Sequence, residues 1–187
     1  MRARWTAGVV AAVLLLAGCA TPTGSSSDTE PDGPSWVVDC PAAADRQATD
    51  FTDLVLPCLG GGGDYRLGGV ADRPLVIALW ASWCAPCATE AEELQQFWQE
   101  HRTEVTMIGV DTQDTTDRGR YFAEDFGWTF PSVFDPDGVV LRSQGLTALP
   151  ATFVVAADGS TVATFTDGSL TAERLARAVS TAMKEVS

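Results

Sequence analysis

Apolar residues fall in short blocks separated by polar turns, and the spacing inside each block predicts its element. Leu75 to Trp80 (LVIALW) is a continuous apolar run of strand length ending at Ala81-Ser82. That is the pattern of a central strand covered on both faces. From Cys84 to Arg102, Ala91, Leu94, Phe97 and Trp98 recur at helical spacing, with Glu90, Glu92, Glu93, Gln95 and Gln96 on the other side. Val105 to Val110 predicts a second buried strand, and Thr116 to Phe126 a polar helix packing through Tyr121, Phe122 and Phe126. Ala151 to Ala156 and Thr161 to Thr166 are joined by Ala157-Asp158-Gly159-Ser160, where Asp-Gly marks a tight antiparallel turn. Thr171 is placed to cap a final helix with the stripe Leu175, Val179, Ala182 and Val186. Further upstream, Asp53 to Leu56 and Tyr65 to Leu67 flank Gly60-Gly61-Gly62-Gly63, which predicts a short hairpin or an irregular N-terminal extension. The order β-α-β-α then β-β-α requires a parallel pair with a right-handed crossover, to which the closing hairpin adds antiparallel strands. The expected class is α/β, a mixed central sheet with helices on both faces, in a domain over 35–187 whose extension occupies 35–68.

The N-terminus follows another pattern. Arg2 and Arg4 precede a nearly unbroken Ala, Val and Leu run to Ala17, whose end forms Leu16-Ala17-Gly18-Cys19. Roughly a dozen apolar residues are too few for a membrane-spanning helix, which needs ~20, and the segment reads as a signal sequence. Its end resembles the bacterial lipobox, which implies a signal peptide over 1–18 and lipidation of Cys19; an ordinary secretory signal is the alternative. Ala20 to Pro34 is rich in Ser, Thr, Pro, Gly and acid, so 19–34 is expected to be a flexible tether. As a coil it would reach on the order of 20 Å. The protein is then expected at the extracytoplasmic face of the cell membrane, held there by its lipid.

Length and charge narrow the classes further. With 187 residues, 45% of them apolar, the chain suits one globular domain. Twelve Lys and Arg against 25 Asp and Glu give a net charge of -13, the wrong sign for a nucleic-acid partner. Removing Met1 to Gly18 takes away two Arg, leaving ten bases against 25 acids, or -15.

Five Cys in such a chain need an account. Cys84 and Cys87, in Trp83-Cys84-Ala85-Pro86-Cys87, fall where the predicted strand gives way to the helix. A helix N-terminus offers unpaired N–H groups and a positive dipole end, which stabilise a thiolate on Cys84. Pro86 suits a first turn, where no N–H is needed. Cys84 is thus the candidate nucleophile and the inward-facing Cys87 the resolving thiol, exchanging through a mixed disulfide. A structural zinc site and a permanent structural disulfide are the competing readings. Zinc usually needs further Cys or His ligands, and the single His, His101, lies about four helical turns from Cys84. No metal site and no cofactor are expected.

The segment Leu79-Trp80-Ala81-Ser82-Trp83-Cys84-Ala85-Pro86-Cys87 is similar to the active-site segment of the thioredoxin superfamily. From about Tyr65 onward the chain resembles that superfamily's membrane-tethered bacterial branch, the TlpA/ResA/DsbE-like thiol-disulfide oxidoreductases. Ile108-Gly109-Val110-Asp111, Thr129-Phe130-Pro131, Phe134-Asp135-Pro136-Asp137-Gly138 and Leu149-Pro150-Ala151-Thr152-Phe153 follow in the family's order. The resemblance implies a thioredoxin-like fold, with Pro150 as a cis-proline facing the cysteine pair. The backbone of Leu149 would then pair with an extended client segment, and Trp83, Ala85 and Pro86 join it as substrate-contact candidates. Cytosolic thioredoxins carry a buried Asp six residues before the first Cys, where this chain has Ala78. The tethered branch uses a Glu three residues after the second Cys, and Glu90 stands there, implying a proton relay to Cys87; a solvated helix Glu is the plain alternative. The branch's helix-bending Pro two residues later is replaced by Glu92.

Cys40 and Cys58 precede this region, and in an oxidising compartment they are expected to form a structural disulfide; a second redox pair or two separate thiols are the alternatives. His101 is expected to partner its helix C-terminus, while Trp80, Trp83 and Trp98 serve as core and site wall. Gly60 to Gly63 lack the Lys and helix of a phosphate loop. The expected activity is disulfide exchange with cysteine-containing envelope proteins, with a membrane redox partner supplying electrons. With no cation between the cysteines, the reductive direction is favoured, and the resemblance makes apocytochrome c or a similar protein the client. A disulfide-forming oxidase, a Cu(I) metallochaperone and a peroxidase on the same fold are the other readings.

Overall fold

The computed structural model describes residues 37–42, 46–47, 49–51, 54–70 and 72–184. The signal sequence, Cys19, the tether and Val186 lie outside the described residues. Two short antiparallel ladders open the fold: β1 (Arg46–Gln47) with β4 (Gly69–Val70), and β2 (Val55–Pro57) with β3 (Asp64–Arg66). Then come β5 (Leu75–Trp80), α1 (Ala85–His101), β6 (Thr106–Thr112), α2 (Thr116–Asp125), β7 (Ser132–Asp135), α3 (Val139–Ser143), β8 (Ala151–Val155), β9 (Thr161–Phe165) and α4 (Ala172–Lys184). The main sheet has the order β7-β6-β5-β8-β9, with β5 parallel to β6 and antiparallel to β8. This is the mixed sheet that the alternation of patterns predicts.

Because β6 and β7 lie successively on one side of β5, two right-handed crossovers put α1 and α2 on the same face. Val76, Ala78, Trp80 and Met107 pack there against Ala91, Leu94 and Phe97 of α1, Phe122 and Ala123 of α2, and Leu175, Val179 and Ala182 of α4. The opposite face carries Ile77, Leu79, Ile108, Val110 and Phe153 under Val140 and Leu141 of α3. Phe51, Leu56, Tyr65 and Leu67 join that second cluster, so the N-terminal extension supplies core and not a loose appendage.

After β5, two elements escape the sequence pattern, as the two-residue β1 and β4 do before it. β7 and α3 have four and five residues, too few to show a period. β7 exists because β6 pairs with it, and α3 because the buried Asp135 carboxylate accepts the Val139 and Val140 N–H groups at 2.8 and 2.9 Å. The packing side of α2 also differs: Gly119, Phe122 and Ala123 are buried, whereas Tyr121 is 62% exposed. Tyr121 is turned by about 100° from Phe122 around the helix, and close contact with the sheet selects Gly119 on the other flank. Glu90 and Gln95 do not sit on a solvated helix face. Both are buried, because α1 is covered by α4 and by the chain around Thr129 as well as by the sheet.

The Gly60–Gly63 run closes the β2–β3 hairpin, with Gly61, Gly62 and Gly63 at positive φ. A Cβ on Gly60 would stand 2.5 Å from the Val38 carbonyl oxygen, so glycine there lets the segment before Cys40 lie against the hairpin. Cys40 and Cys58 are disulfide-bonded, and Cys58 bridges Val133 of β7. The bond therefore ties the first described segment to the sheet edge. Replacing both by Ser is expected to lower unfolding free energy by about 3 kcal/mol through lost loop restriction. Denaturant titration of the two forms checks it; an unchanged midpoint contradicts it.

Candidate active site

The site is built where β5 stops and α1 starts. Cys84 is the N-cap of α1 in an extended conformation, Ala85 and Pro86 open the first turn, and Cys87 follows within that turn. Cys84 and Cys87 are bonded to each other. The Cys87 N–H donates to Cys84 Sγ at 3.2 Å, so the sulfur takes one of the helix's otherwise unpaired donors. Both residues are nearly covered, Cys84 5% exposed and Cys87 3%, whereas Trp83 is 55% exposed and Ala85 and Pro86 are also exposed. Access to Cys84 therefore runs over Trp83 and the first turn.

The Leu149-Pro150 bond is cis, and Pro150 immediately precedes β8. Ala151 pairs with Leu79, which puts Pro150 at the end of β5 from which the cysteine turn emerges. Pro150 is buried and Leu149 half-buried beside it. Near Pro86, Gly168 sits with a Cβ position 3.4 Å from the proline ring, bringing the loop before α4 to the site's rim.

Glu90 is buried one turn beyond Cys87, and its Oε1 accepts the Leu170 N–H at 2.7 Å. Glu93 Oε2 accepts the Ala172 N–H at 2.8 Å. Two carboxylates of α1 thus hold the start of α4, complementing its positive end. Thr171 contributes its own hydroxyl to the Arg174 N–H at 3.2 Å. Burial raises the Glu90 pKa above its ordinary value; the Leu170 N–H opposes that, Asp167 adds to it and Arg174 subtracts. A carboxyl whose pKa is raised on folding binds more protons in the native state than in the unfolded one. Stability therefore falls as pH climbs from its ordinary range, near 4.5, through the raised value. Glu90→Gln should remove that slope while keeping an oxygen for Leu170. Unfolding free energies of the two proteins should diverge in the variant's favour from acid to neutral pH; parallel curves would contradict the expected sign.

The other candidates have plain places. Trp80 is core, stacked on Phe122 at 5.0 Å and edge-on to Trp128 at 4.8 Å. Trp98 is partly buried and donates to the Thr129 carbonyl at 3.0 Å. His101 ends α1, stacks on Phe97 and meets Glu104 at 3.0 Å, away from the sulfurs. α1 runs uninterrupted through Glu92. Among the described residues no group of His, Cys, Asp or Glu is arranged to hold a metal ion, and no helix is long and apolar enough to cross a membrane.

Sequence reasoning missed the turn after β6. The Trp83 Nε1–H donates to the Gln113 carbonyl at 2.9 Å, and the Ser82 N–H donates to Asp114 Oδ2 at 2.6 Å. Gln113 is the described non-glycine residue at positive φ, 55°, a backbone conformation that marks sites held by their surroundings. The available signal was Asp111, an acid directly after the apolar Val105–Val110 run.

Comparison with known proteins agrees with this geometry. A curated relative, the thiol-disulfide oxidoreductase ResA of Geobacillus thermodenitrificans, is 30% identical over 122 residues, covering 65% of this chain and 69% of that protein. The thiol:disulfide interchange protein DsbE of Allochromatium vinosum is 31% identical over 118 residues, 62% of each chain. A solved structure of MTB DsbF in mixed oxidised and reduced forms superposes with a TM-score of 0.65 at 26% identity, covering 72% of this chain and 98% of that one. Residues 44–163 match the AhpC/TSA family. A cysteine pair at a helix start, a thioredoxin-like sheet behind it and relatives of this kind lead to one assignment: the chain belongs to the AhpC/TSA family and is a thiol-disulfide oxidoreductase of ResA/DsbE type.

Proposed function

We propose that this enzyme works outside the cytoplasmic membrane, lipid-anchored through Cys19, and reduces disulfides in cysteine-containing envelope proteins. Cys84 is the attacking thiol, Cys87 resolves the mixed disulfide, Pro150 and Leu149 seat the client segment, and Trp83, Ala85 and Pro86 form its contact surface. Residues 1–18 serve as signal peptide, 19–34 as tether and 35–187 as the working domain. A membrane redox partner returns electrons to the Cys84–Cys87 bond. Apocytochrome c or a similar protein with paired cysteines is the client class.

The observation that carries the direction is electrostatic. The first turn of α1 holds no acid, and no Lys, Arg or His stands between the cysteines; the helix N-terminus is what stabilises a Cys84 thiolate. The buried Glu90 carboxylate one turn on works against that thiolate. A dithiol stabilised so modestly gives its electrons up readily. The location is supported by the leader pattern and by the Cys40–Cys58 disulfide, a bond suited to an oxidising compartment. Equilibrating the protein with glutathione buffers and quantifying Cys84–Cys87 oxidation tests the direction. The bond should persist until the buffer is strongly reducing; a pair reduced even in mildly reducing buffer overturns the reductive reading.

A further inference from the structure

Four buried side-chain atoms lack a hydrogen-bond partner among the described residues: Trp80 Nε1, Ser132 Oγ and both oxygens of Asp111. The two oxygens matter most, because a carboxylate removed from water without a donor is the costliest orphan. Asp111 is fully buried near the end of β6, in register with Trp80, the last residue of β5 before the cysteine turn. The backbone of α2 lies directly on it: a Cβ on Gly119 would stand 1.9 Å from Asp111 Oδ2. No N–H or O–H reaches the carboxyl, yet Asp114 is within hydrogen-bonding reach of it. Two carboxyls bond to each other only when one of them carries the proton.

Asp114 is also what grips the cysteine turn. Its Oδ2 accepts the Ser82 N–H at 2.6 Å and its Oδ1 the Thr115 N–H at 2.8 Å, and the adjoining Gln113 carbonyl holds the Trp83 indole. We infer that Asp111, as the neutral acid, donates a hydrogen bond to the Asp114 carboxylate and through it positions the Ser82–Trp83 turn that presents Cys84. The pair is a proton-dependent positioning element separate from Glu90.

The surroundings leave the proton in place near neutrality. β5 brings no titratable group, only the Trp80 indole, and β7 brings Asp135, committed to Thr112 and the start of α3. From α2, Asp117, Arg118 and Arg120 flank Gly119; Arg120 Nε donates to the Leu59 carbonyl at 2.8 Å, and Arg118 lines a groove with Ser82, Tyr121 and Asp125. None of these gives Asp111 a donor. Burial first, and the Asp114 charge second, push its pKa up to about 8. Above that, two negative charges face each other under α2, and the hold on Ser82 and Trp83 loosens.

This rests on Cys84 being the attacking thiol, and two measurements on the full chain separate the readings. Infrared spectra at pH 7 should show a protonated-carboxyl band that Asp111→Asn removes and Glu90→Gln does not remove in full. An unchanged band in Asp111→Asn overturns the pair whatever Cys84 does. In a Cys87→Ala background, iodoacetamide labelling of Cys84, mapped by mass spectrometry, should rise with thiolate formation and show a second inflection near pH 8. Asp111→Asn should abolish that inflection and Glu90→Gln should keep it; its survival in Asp111→Asn overturns the positioning role. Should Asp111→Asn fail to fold, Asp114→Asn removes the neighbouring charge and should shift both the band's loss and the inflection by at least a pH unit. No shift overturns the inference. An inert Cys84 with a normal Asp111 band would sink the nucleophile assignment and the positioning role together while sparing the shared proton.

Discussion

Cys87→Ala should stop the reaction half-way and accumulate covalent adducts through Cys84. In the proposed reductive cycle the Cys84 thiolate attacks a client disulfide, a new Cys84–client bond forms, and the client's other sulfur leaves and takes up a proton. Cys87 then gives up its proton and attacks Cys84 Sγ, forming the intramolecular bond and releasing the second client thiol. The client gains two electrons and two protons, which this enzyme's dithiol loses. Removing Cys87 leaves the first step intact and deletes the second, so mixed disulfides should dominate non-reducing gels. Cys84→Ser should reduce turnover to background with no adduct. The geometry makes the assignment testable, since both sulfurs are nearly covered and only the N-cap position and the exposed first turn favour Cys84. Adducts in a Cys84→Ala variant, with none in Cys87→Ala, would reverse the roles. Peptides captured on Cys84 would also identify the client.

Phe97→Ala is expected to destabilise the fold by about 3–5 kcal/mol, the range for emptying a fully buried aromatic position. Phe97 is 0% exposed and, with Ala91 and Leu94, forms the stripe that seats α1 on the sheet beside α4. Phe97→Leu keeps most of the volume and should lose less than about 1.5 kcal/mol. Chemical denaturation followed by circular dichroism would measure both. A Phe97→Ala loss below 1 kcal/mol would mean that α1 is not anchored by this stripe. The consequence reaches the chemistry, because the same helix carries Cys84 at its N-cap and Glu90 in its second turn. A helix free to shift would no longer hold Glu90 against Leu170 or the sulfurs at the end of β5.

Much of this was legible because it is local. The LVIALW run, the apolar spacing of α1, the Asp-Gly turn and the Trp-Cys-Ala-Pro-Cys junction each express a rule that acts within one or two turns of chain. Elements that exist only by pairing were not: β7 is four residues that become a strand because β6 supplies a partner, and α3 is a single capped turn held by Asp135. Polarity misled where burial came from a second layer. Glu93 and Gln95 fall on the polar side of α1 in the sequence, and a solvated place is only the alternative to a proton relay for Glu90; yet Glu90 and Glu93 meet the N–H groups of Leu170 and Ala172, about 80 residues on.

The order of the longer, periodic elements, the place of the cysteine pair at a helix start and the acidic net charge were set by the sequence alone, since periodicity, capping and charge are properties of neighbouring residues. Which carboxyls lose water was decided only in three dimensions. Asp111 is sealed because Gly119 lets α2 lie on it, and it meets Asp114 because the chain reverses at Gln113. Proton affinity depends on solvent exclusion and on charges brought close by folding, and neither is written in the spacing of residues along the chain.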